Sequence, residues 1–592
     1  MAQAADSLPK GFDEYIGQVV RDWKVPGLAI AVVKGDAVGF AKGYGVRKLG
    51  ESAPVDERTL FAIGSCSKAF TATALAMLVD DGKISWDDPV IKHLRDFQLS
   101  DPYATREITV RDLLCHRSGL ARHDFLWYGA SISREEVICR LRHARMSTSF
   151  RSQFGYQNIM YVAAGQIISA VTGQSWDDFV KQRIFTPLEM TDSNTTTTVL
   201  GHAANVATTH EKIEDKVEAV LYRNIDNVGP AGSINSSVAD MAQWMRFQLK
   251  GGVYKGERLL TSKAIKETQT PQTVIRTEGM GREGLFWALA HPESRLLVYG
   301  LGWVLREYRG RVVVQHGGAV DGMCSAVALI PEEKLGVVIM SNLGRHLLPY
   351  ALVCRVFDAY LKAKPRDWSA ELLKVHEGLE KQQKEAEERI EKERVQGTKP
   401  SLALEKYAGT YQDDLYGEIK VIREKDKLVV HYGPSLIGDL EHWHHDIFRA
   451  TWTDRAILKA LVTFRLNERS EADEIRIASP HWDEELSAQR MPPPSDTTPA
   501  ITLKPEELRQ FVGIYAQEAS PVAVSVELLH GKLRAVSFGQ PVATLIPIKP
   551  TRFQLEGAPG TLFLEFELAD GKVKQVVFER SGQPKATLLP KR

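Results

Sequence analysis

The sequence predicts an α+β domain over residues 1–365, a charged helical linker over 366–400, and two small all-β barrel domains over 401–491 and 492–592. In the first range, strand-like apolar runs stand at both ends and helical patterns lie between them. This order is expected for one antiparallel sheet with helices packed around it. The second range is polar on all sides, and the last two ranges repeat one motif among short alternating strands.

The composition is that of an ordinary globular protein and excludes a disordered or fibrous chain. Hydrophobic residues make up 43% of the 592 residues and charged residues 25%. Lys and Arg (75) balance Asp and Glu (75), so the chain lacks the overall positive field that non-specific nucleic-acid binding requires. No apolar run approaches the ~18 residues of a membrane-spanning helix. We therefore expect neither a nucleic-acid partner nor a membrane span.

The cysteines and the first residues carry little functional information. Five cysteines are too few for a disulfide framework, and none forms a CxxC pair. We expect them to be buried, unpaired thiols. Residues 1–5 (MAQAA) have neither the basic nor the apolar region of a secretory leader, so no leader is predicted in this sequence. The cysteines are Cys66, Cys115, Cys139, Cys324 and Cys354.

The elements of the first domain follow from the period of its apolar residues. Residues 27–33 form a continuous apolar run, typical of a buried strand, and 39–45 follow as a second strand with glycine bends. From Ser67 the period becomes helical and ends before Gly82. Further helices are predicted at 109–115, 156–172 and 237–249, and strands at 302–309, 311–315, 325–330 and 337–341.

The C-terminal part begins with a solvated helix. Within 380–394, opposite charges recur four residues apart, as at Glu380 and Lys384, which supports a helix in water. A coiled coil is disfavoured because the a/d apolar repeat is missing. Beyond it, YAGTY at 407–411 recurs as FVGIY at 511–515, and three prolines at 492–494 mark a linker between the two copies.

A Ser-x-x-Lys pattern at 64–68 (GSCSK) is the first candidate for chemistry. A serine hydroxyl is a poor nucleophile until a base takes its proton. At the first turn of a helix, Ser65 lies near the positive end of the dipole, and Lys68 projects from the same face one turn on. A shielded lysine there can have its pKa lowered enough to act as a base. The alternative is that Ser65 is a plain helix cap.

A second motif, FGYQN at 154–158, stands at the start of the predicted helix 156–172. Tyr156 can relay a proton through its phenolic oxygen, and Asn158 can orient Lys68 or the substrate carbonyl. The alternative for this pair is a packed tyrosine and a helix-start asparagine.

A third motif, QHGGA at 315–319, follows the apolar strand residues 312–314. Gly317 and Gly318 at a strand end would let a substrate backbone approach closely. The N–H of Ala319, together with that of Ser65, can form an oxyanion hole. His316 belongs to the same motif and is a candidate substrate-binding residue. The alternative interpretation is that it is an ordinary surface histidine at a strand end.

The three motifs, in this order, resemble the serine β-lactamase/penicillin-binding-protein superfamily, specifically its branch of class C β-lactamases, D-aminopeptidases and related esterases. LLCHRSGL at 113–120, GPAGSI at 229–234 and GLGW at 300–303 extend the resemblance over roughly residues 10–350. It implies an acyl-enzyme formed on Ser65, with Lys68 and Tyr156 sharing the acid–base work and the N–H groups of Ser65 and Ala319 holding the oxyanion. It implies no metal or other cofactor, and a periplasmic or secreted location.

One departure from the family pattern bears on the substrate. Class C β-lactamases carry Lys-Thr-Gly where this chain has His316, Gly317 and Gly318. A histidine with an ordinary pKa near ~6.5 supplies much less positive charge than a lysine at neutral pH. We therefore expect weak or no β-lactamase activity. His-x-Gly at this place is similar to D-aminopeptidases and peptidases of the same branch.

The C-terminal region agrees with this resemblance. A β-lactamase-like domain followed by two barrels is similar to the three-domain D-aminopeptidases, where a barrel loop reaches the active site. Residues 401–490 also resemble a domain of unknown function that often follows such hydrolase domains. His442, His444 and His445 raise the alternative of a metal site, but no ligand spacing recurs nearby, so ordinary barrel packing is expected.

These patterns predict a hydrolase of amides or short peptides, whose partner is a small-molecule or short-peptide substrate. A carboxylesterase with the same serine is the first alternative. An inactive penicillin-binding-like receptor, in which the barrels bind the ligand, is the second. A homo-oligomer stays open.

Overall fold

The computed structural model describes residues 8–278, 280–479, 482, 484–491, 500–516, 523–529, 532–537, 543–556, 562–580 and 586–590. The first residues at 1–5 and the prolines at 492–494, which entered the leader and linker predictions, lie outside this part of the chain. Within it, no helix is both long enough and apolar enough to cross a membrane.

Helices and short strands dominate the N-terminal domain, as expected for an α+β fold. The helices are α1 (Phe12–Asp22), α2 (Ser67–Asp80), α3 (Val90–His93), α4 (Pro102–Glu107), α5 (Val110–Leu114), α6 (Arg134–Arg140), α7 (Ile159–Thr172), α8 (Trp176–Val180), α9 (Gly229–Gly232), α10 (Val238–Leu249), α11 (Ser262–Thr268), α12 (Gly281–Ala290) and α13 (Leu348–Tyr360). The strands are β1 (Gly27–Lys34), β2 (Ala37–Gly45), β3 (Phe61–Ala62), β4 (His210–Ile213), β5 (Lys216–Ala219), β6 (Asn235–Ser236), β7 (Val253–Tyr254), β8 (Glu257–Arg258), β9 (Thr273–Val274), β10 (Leu297–Tyr299), β11 (Val304–Tyr308), β12 (Arg311–Val320), β13 (Met323–Ile330) and β14 (Leu335–Ser341).

The centre of this domain is an eight-stranded antiparallel sheet in the order β2-β1-β14-β13-β12-β11-β10-β9. The N-terminal strand β1 therefore pairs with the last strand, β14, with Leu28 opposite Ser341. Alternate residues of β1 enter two separate cores, because successive side chains of a strand point to opposite faces. Ala29 and Ala31 pack with α2 and α10, whereas Leu28 and Ile30 pack with α13. The predicted α+β architecture is confirmed.

Several predicted element boundaries differ from the structure, and two of the differences lie at candidate site residues. Helix α7 begins at Ile159 rather than at Tyr156. The reason is that His116 binds the preceding backbone: its carbonyl accepts from the Gly155 N–H (2.9 Å) and its Nδ1 accepts from the Gln157 N–H (3.1 Å). These bonds hold the segment before α7 outside the helix.

The second wrong boundary is the end of β12, which runs on to Val320 and so contains His316 in its middle. The glycines that follow His316 permit close packing within a continuous strand. A Cβ at Gly317 would lie 1.9 Å from the Tyr350 hydroxyl, and one at Gly318 would lie 1.9 Å from the Ile63 carbonyl oxygen.

The charged region after α13 forms one helix, α14 (Trp368–Glu393). Only its first turns are buried, at Trp368, Ser369 and Leu372. The rest of the helix is largely solvated, as its polar sequence indicates.

Two closed eight-stranded barrels follow, as predicted. The first consists of β15 (Gly409–Asp413), β16 (Gly417–Glu424), β17 (Lys427–Tyr432), β18 (Leu436–His444), β19 (Ile447–Trp452), β20 (Ala460–Leu466), β21 (Ala472–Ala478) and β22 (Leu486–Arg490). After the short helix α15 (Pro505–Leu508), the second consists of β23 (Gly513–Ala516), β24 (Ala523–Leu529), β25 (Lys532–Ser537), β26 (Ala543–Lys549), β27 (Arg552–Glu556), β28 (Leu562–Ala569), β29 (Lys572–Arg580) and β30 (Ala586–Pro590).

The repeated motif makes the same contact in both barrels. The Tyr411 hydroxyl donates to the Tyr407 carbonyl (2.8 Å), and the Tyr515 hydroxyl donates to the Phe511 carbonyl (2.9 Å). The aromatic residue four positions before each tyrosine is fully buried in its barrel core. The motif therefore fixes the first strand of each barrel to the residues that precede it.

The cysteines and the histidine cluster form neither a disulfide nor a metal-binding group in the part of the chain that the structure describes. All five cysteines are free thiols, and four of them are buried, with Cys139 half-buried. No group of three or more His, Cys, Asp or Glu side chains among the described residues could hold a metal ion. His442 instead bonds the His445 carbonyl through Nε2 at 3.0 Å.

Candidate active site

Ser65 lies on a single 3-10 turn, Gly64–Cys66, that leads directly into α2. The turn is held from behind: the Ile63 N–H donates to the Ile234 carbonyl, and the Ser325 hydroxyl donates to the Ile63 carbonyl at 2.8 Å. Gly64 has φ +51°, and a Cβ there would lie 2.6 Å from the Ala319 nitrogen. The turn thus brings Ser65 against the β12 backbone while its side chain stays half-buried.

Lys68, in the first turn of α2, is fully buried, and three oxygen atoms of other residues surround its amine. Its Nζ lies 3.0 Å from Ser65 Oγ, 2.8 Å from Asn158 Oδ1 and 2.9 Å from the Ala231 carbonyl oxygen. Burial, and after it the positive charge of Arg122, lowers the pKa of Lys68 well below its ordinary value. The environment therefore favours the neutral amine.

The orientation of the Asn158 amide follows from its second partner. Its Nδ2 lies 2.9 Å from Asp124 Oδ1. A carboxylate only accepts hydrogen bonds, so the nitrogen end of the amide must face Asp124 and the oxygen end must face Lys68. Asp124 in turn accepts from Trp127 Nε1 (2.9 Å) and pairs with Arg122 Nε.

Tyr156 donates a hydrogen bond from its hydroxyl to Ser65 Oγ at 2.8 Å. The centroid of its ring lies 4.8 Å from Lys68 Nζ and 5.2 Å from the central carbon of the Arg122 guanidinium. Aromatic neighbours fix the ring, with His116 at 4.3 Å and Trp287 at 6.0 Å between centroids. Burial raises the pKa of Tyr156, so the phenol keeps its proton at neutral pH.

His316 is buried and neutral. Its Nδ1 lies 2.6 Å from the Gly317 carbonyl oxygen, which can only accept, so Nδ1 carries the proton. Its Nε2 then accepts from the Tyr299 hydroxyl at 2.8 Å. Burial lowers the pKa of His316 to about 3. The side chain supplies no positive charge to the site.

The structure brings together some, but not all, of the residues that the three motifs predicted for the site. The His316 ring makes its hydrogen bonds to Tyr299 and Gly317 rather than to the residues around Ser65. Ser65, Lys68, Tyr156 and Asn158 form one hydrogen-bonded cluster. The backbone of Gly318 and Ala319 packs against the turn that carries Ser65, whereas Gly317 packs against Tyr350.

Four contributors were missed by the sequence reasoning: Arg122, Asp124, the Ala231 carbonyl and Tyr299. Asp124 lies four positions after the end of the LLCHRSGL motif, and Ala231 lies inside GPAGSI. In the sequence, both motifs carry the family resemblance but indicate no role for these residues. The charged residues just after LLCHRSGL are the signal that could have identified Arg122 and Asp124.

The fold and this cluster define a serine hydrolase of the Ser-x-x-Lys class. The Beta-lactamase family model matches residues 12–348, more than half of the chain. The chain belongs to this family, which confirms the resemblance to the serine β-lactamase/penicillin-binding-protein superfamily. A second model, a domain of unknown function (DUF3471), matches residues 393–492, the region of the first barrel.

Two fungal relatives match about three quarters of the chain. Unguisins hydrolase ungD' of Aspergillus campestris is 30% identical over 448 residues, covering 72% of this chain and 79% of the relative. Unguisins hydrolase ungD of Aspergillus violaceofuscus is 28% identical over 482 residues, covering 75% and 84%. Among solved structures, an octameric penicillin-binding protein homologue from Pyrococcus abyssi has a TM-score of 0.50 at 22% identity, over 81% of this chain and 99% of that one. This likeness concerns the fold.

Proposed function

We propose that this protein hydrolyses amide or peptide bonds through an acyl-enzyme on Ser65, with Lys68 as the general base. The observation that carries the proposal is the set of partners around Lys68 Nζ. A neutral amine has two N–H donors and one lone pair. Because Asn158 Oδ1 and the Ala231 carbonyl oxygen only accept, they take the two donors, and the lone pair faces the Ser65 hydroxyl. The names of the two fungal relatives, both hydrolases, support a hydrolytic reaction.

In the acylation step, Ser65 Oγ forms a bond to the substrate carbonyl carbon while its proton passes to Lys68 Nζ. The carbonyl electron pair moves onto oxygen, where the N–H groups of Ser65 and Ala319 stabilise it. The carbon–nitrogen bond then breaks. The leaving nitrogen takes a proton from the Tyr156 phenol, and the extra proton of Lys68 replaces it.

Deacylation keeps the same acid–base roles, with water as the nucleophile and Ser65 as the leaving group. Water attacks the acyl carbon and gives a proton to Lys68, the carbon–oxygen bond to Ser65 breaks, and Ser65 Oγ recovers a proton through Tyr156. The products are a carboxylic acid and an amine, and all three side chains return to their starting states.

The neutral state of His316 argues against efficient β-lactam hydrolysis. The family lysine at this place is a permanent positive charge, whereas His316 is held uncharged by burial. We expect purified protein to turn over common penicillins far more slowly than its best aminoacyl amide or short ester, measured as kcat/KM. Comparable rates on the two kinds of substrate would contradict this expectation.

Replacing Arg122 by glutamine is expected to move the acidic limb of the pH profile of kcat/KM to higher pH, by roughly 0.5 to 1 unit. The Arg122 charge lowers the pKa of Lys68, so its loss raises that pKa and the neutral amine forms only at higher pH. Arg106→Gln, at an exposed arginine paired with Glu107, serves as the control and leaves the limb in place. An unshifted or lowered limb in Arg122→Gln would show that Lys68 is not the titrating base.

The proposed function is tested by intact-mass spectrometry after incubation with a fluorophosphonate. One adduct on the wild type and none on Ser65→Ala is the expected result. Aminoacyl anilides and matching short esters, compared by kcat/KM on the same samples, then separate an amidase from a carboxylesterase. If the wild type stays unlabelled and inactive, Ser65 is not an activated nucleophile. The hydrolase proposal is then replaced by the alternative of a receptor whose barrels bind the ligand.

A further inference from the structure

The first barrel contacts the segment that carries Arg122 and Asp124. The Tyr432 hydroxyl donates to the Phe125 carbonyl at 2.7 Å, and the Tyr416 hydroxyl lies 2.8 Å from His123 Nδ1. The Phe125 ring packs against the aromatic rim of the barrel, with its centroid 4.7 Å from that of Trp482. The barrel is thus attached to a segment that lies directly behind the Ser65–Lys68 pair.

A second attachment lies on the oxyanion side of the site. Arg223 is buried and pairs with Asp321, in the turn that follows β12, and with Asp454 of the first barrel. The barrel therefore contacts both walls of the site, the segment behind Lys68 and the end of β12.

Within the first attachment, Glu484 makes the contact nearest to the chemistry. Its Oε1 accepts the Asp124 backbone N–H at 3.1 Å. Its Oε2 is buried and has no hydrogen-bond partner among the described residues. The carboxyl therefore faces the backbone of Asp124 and of the adjacent Phe125.

From Glu484 a continuous path of hydrogen bonds leads to the amine of Lys68. Asp124, held at its backbone by Glu484, binds Asn158 Nδ2 through Oδ1 at 2.9 Å. Asn158 Oδ1 then accepts from Lys68 Nζ at 2.8 Å. Because Asp124 decides which end of the Asn158 amide faces Lys68, a displacement of Asp124 alters the direction of the Lys68 lone pair.

We propose that Glu484, on the first barrel, is a positioning residue for the Ser65–Lys68 pair, acting through Asp124 and Asn158. The proposal rests on the function proposed above. It makes the barrel a structural part of the active site rather than an appended binding module.

The test compares the rate of Ser65 labelling by a fluorophosphonate in three barrel variants. Glu484→Ala removes the acceptor, and about a 10- to 100-fold slower labelling is expected, in line with the cost of small displacements at a reacting group. Glu484→Gln keeps a carbonyl acceptor and is expected to restore the rate to within about threefold of the wild type. Burial, followed by the charge of Asp124, raises the pKa of Glu484 to about 7, so the neutral amide is a close substitute for the native group.

The matched control is Glu485→Ala. Glu485 is the next residue in the chain, is exposed, and pairs with Arg476 on the barrel surface at 3.4 Å. It is expected to label at the wild-type rate. If Glu484→Ala also labels within twofold of the wild type, or if Glu484→Gln is as slow as Glu484→Ala, the proposal is overturned.

A double-mutant cycle separates positioning from general destabilisation. In the Asn158→Ala background the path to Lys68 is already broken. Adding Glu484→Ala there is expected to slow Ser65 labelling by less than about threefold. An undiminished effect there would show that Glu484 acts by another route.

Hydrogen–deuterium exchange supplies a readout that does not depend on activity. Glu484→Ala is expected to speed exchange both in residues 122–128 and at the start of α7, whereas Glu485→Ala changes neither. Faster exchange confined to 122–128 would overturn the path through Asn158. Absence of Ser65 labelling in the wild type, by contrast, would refute the proposed function, and the exchange result would still decide whether Glu484 positions Asn158.

Discussion

Replacing Lys68 by methionine is expected to slow acylation of Ser65 by about 1,000- to 10,000-fold, the range that removal of a catalytic base produces. In the proposed mechanism, Lys68 takes the Ser65 proton through an amine whose other two partners are acceptors. Tyr156 cannot replace it, because burial raises the pKa of that phenol and keeps it a donor. The variant is measured by the rate of fluorophosphonate labelling.

Folding of the Lys68→Met protein is checked separately, by thermal unfolding. Methionine is unbranched and fills a similar volume in a buried site. The variant leaves Asn158 Oδ1 and the Ala231 carbonyl without their donor, which lowers the free energy of unfolding by about 1–3 kcal/mol for each unsatisfied group. It also removes a buried amine whose desolvation is unfavourable, and this offsets part of the loss. We expect a folded, inactive protein with a modest change in Tm. Labelling at more than a tenth of the wild-type rate would assign the base to another group.

Gly318→Ala is expected to lower kcat/KM by about 100- to 1,000-fold, the loss that follows when an oxyanion donor is removed. A Cβ at this position would lie 1.9 Å from the Ile63 carbonyl oxygen and 2.6 Å from Ser325 Oγ. Neither neighbour is free to move, since Ser325 itself donates to that carbonyl. The added methyl therefore pushes β12 away from the turn that carries Ser65, and Ala319 moves with it.

The same substitution is expected to destabilise the fold by about 1–3 kcal/mol, as overpacking does in a filled core. Gly378→Ala is the control, because Gly378 lies in α14 and no atom stands within 4 Å of the added Cβ. That variant is expected to keep full activity and to gain about 1 kcal/mol of helix stability. Full activity in Gly318→Ala would mean that β12 does not supply the oxyanion donor.

Features that depend on short stretches of chain were predictable from the sequence. Ser65 and Lys68 meet because helical geometry places positions three apart on one face. The barrels were predictable because each closes on strands that follow one another in the chain, and both carry the same motif around Tyr411 and Tyr515.

Features that depend on distant packing were not predictable. Glu484 and Asp124 are 360 positions apart, and no local pattern marks either as part of a site. The two glycines after His316 were read as a strand end, the usual meaning of glycine in such a pattern. Their actual cause is the approach of Tyr350 and Ile63 from other parts of the chain, which one sequence does not reveal.

The pairing of β1 with β14 also constrains how the protein is made. The Gly27 N–H bonds Asn342 Oδ1 across 315 positions of chain, and β1 is buried along almost its whole length. At about 5–20 residues per second, the ribosome needs roughly 15–60 s to deliver the partner strand. During that interval one edge of an apolar strand stays open to pairing with other chains. We therefore expect the yield of folded protein in a cell to fall when that edge is left unshielded until β14 emerges.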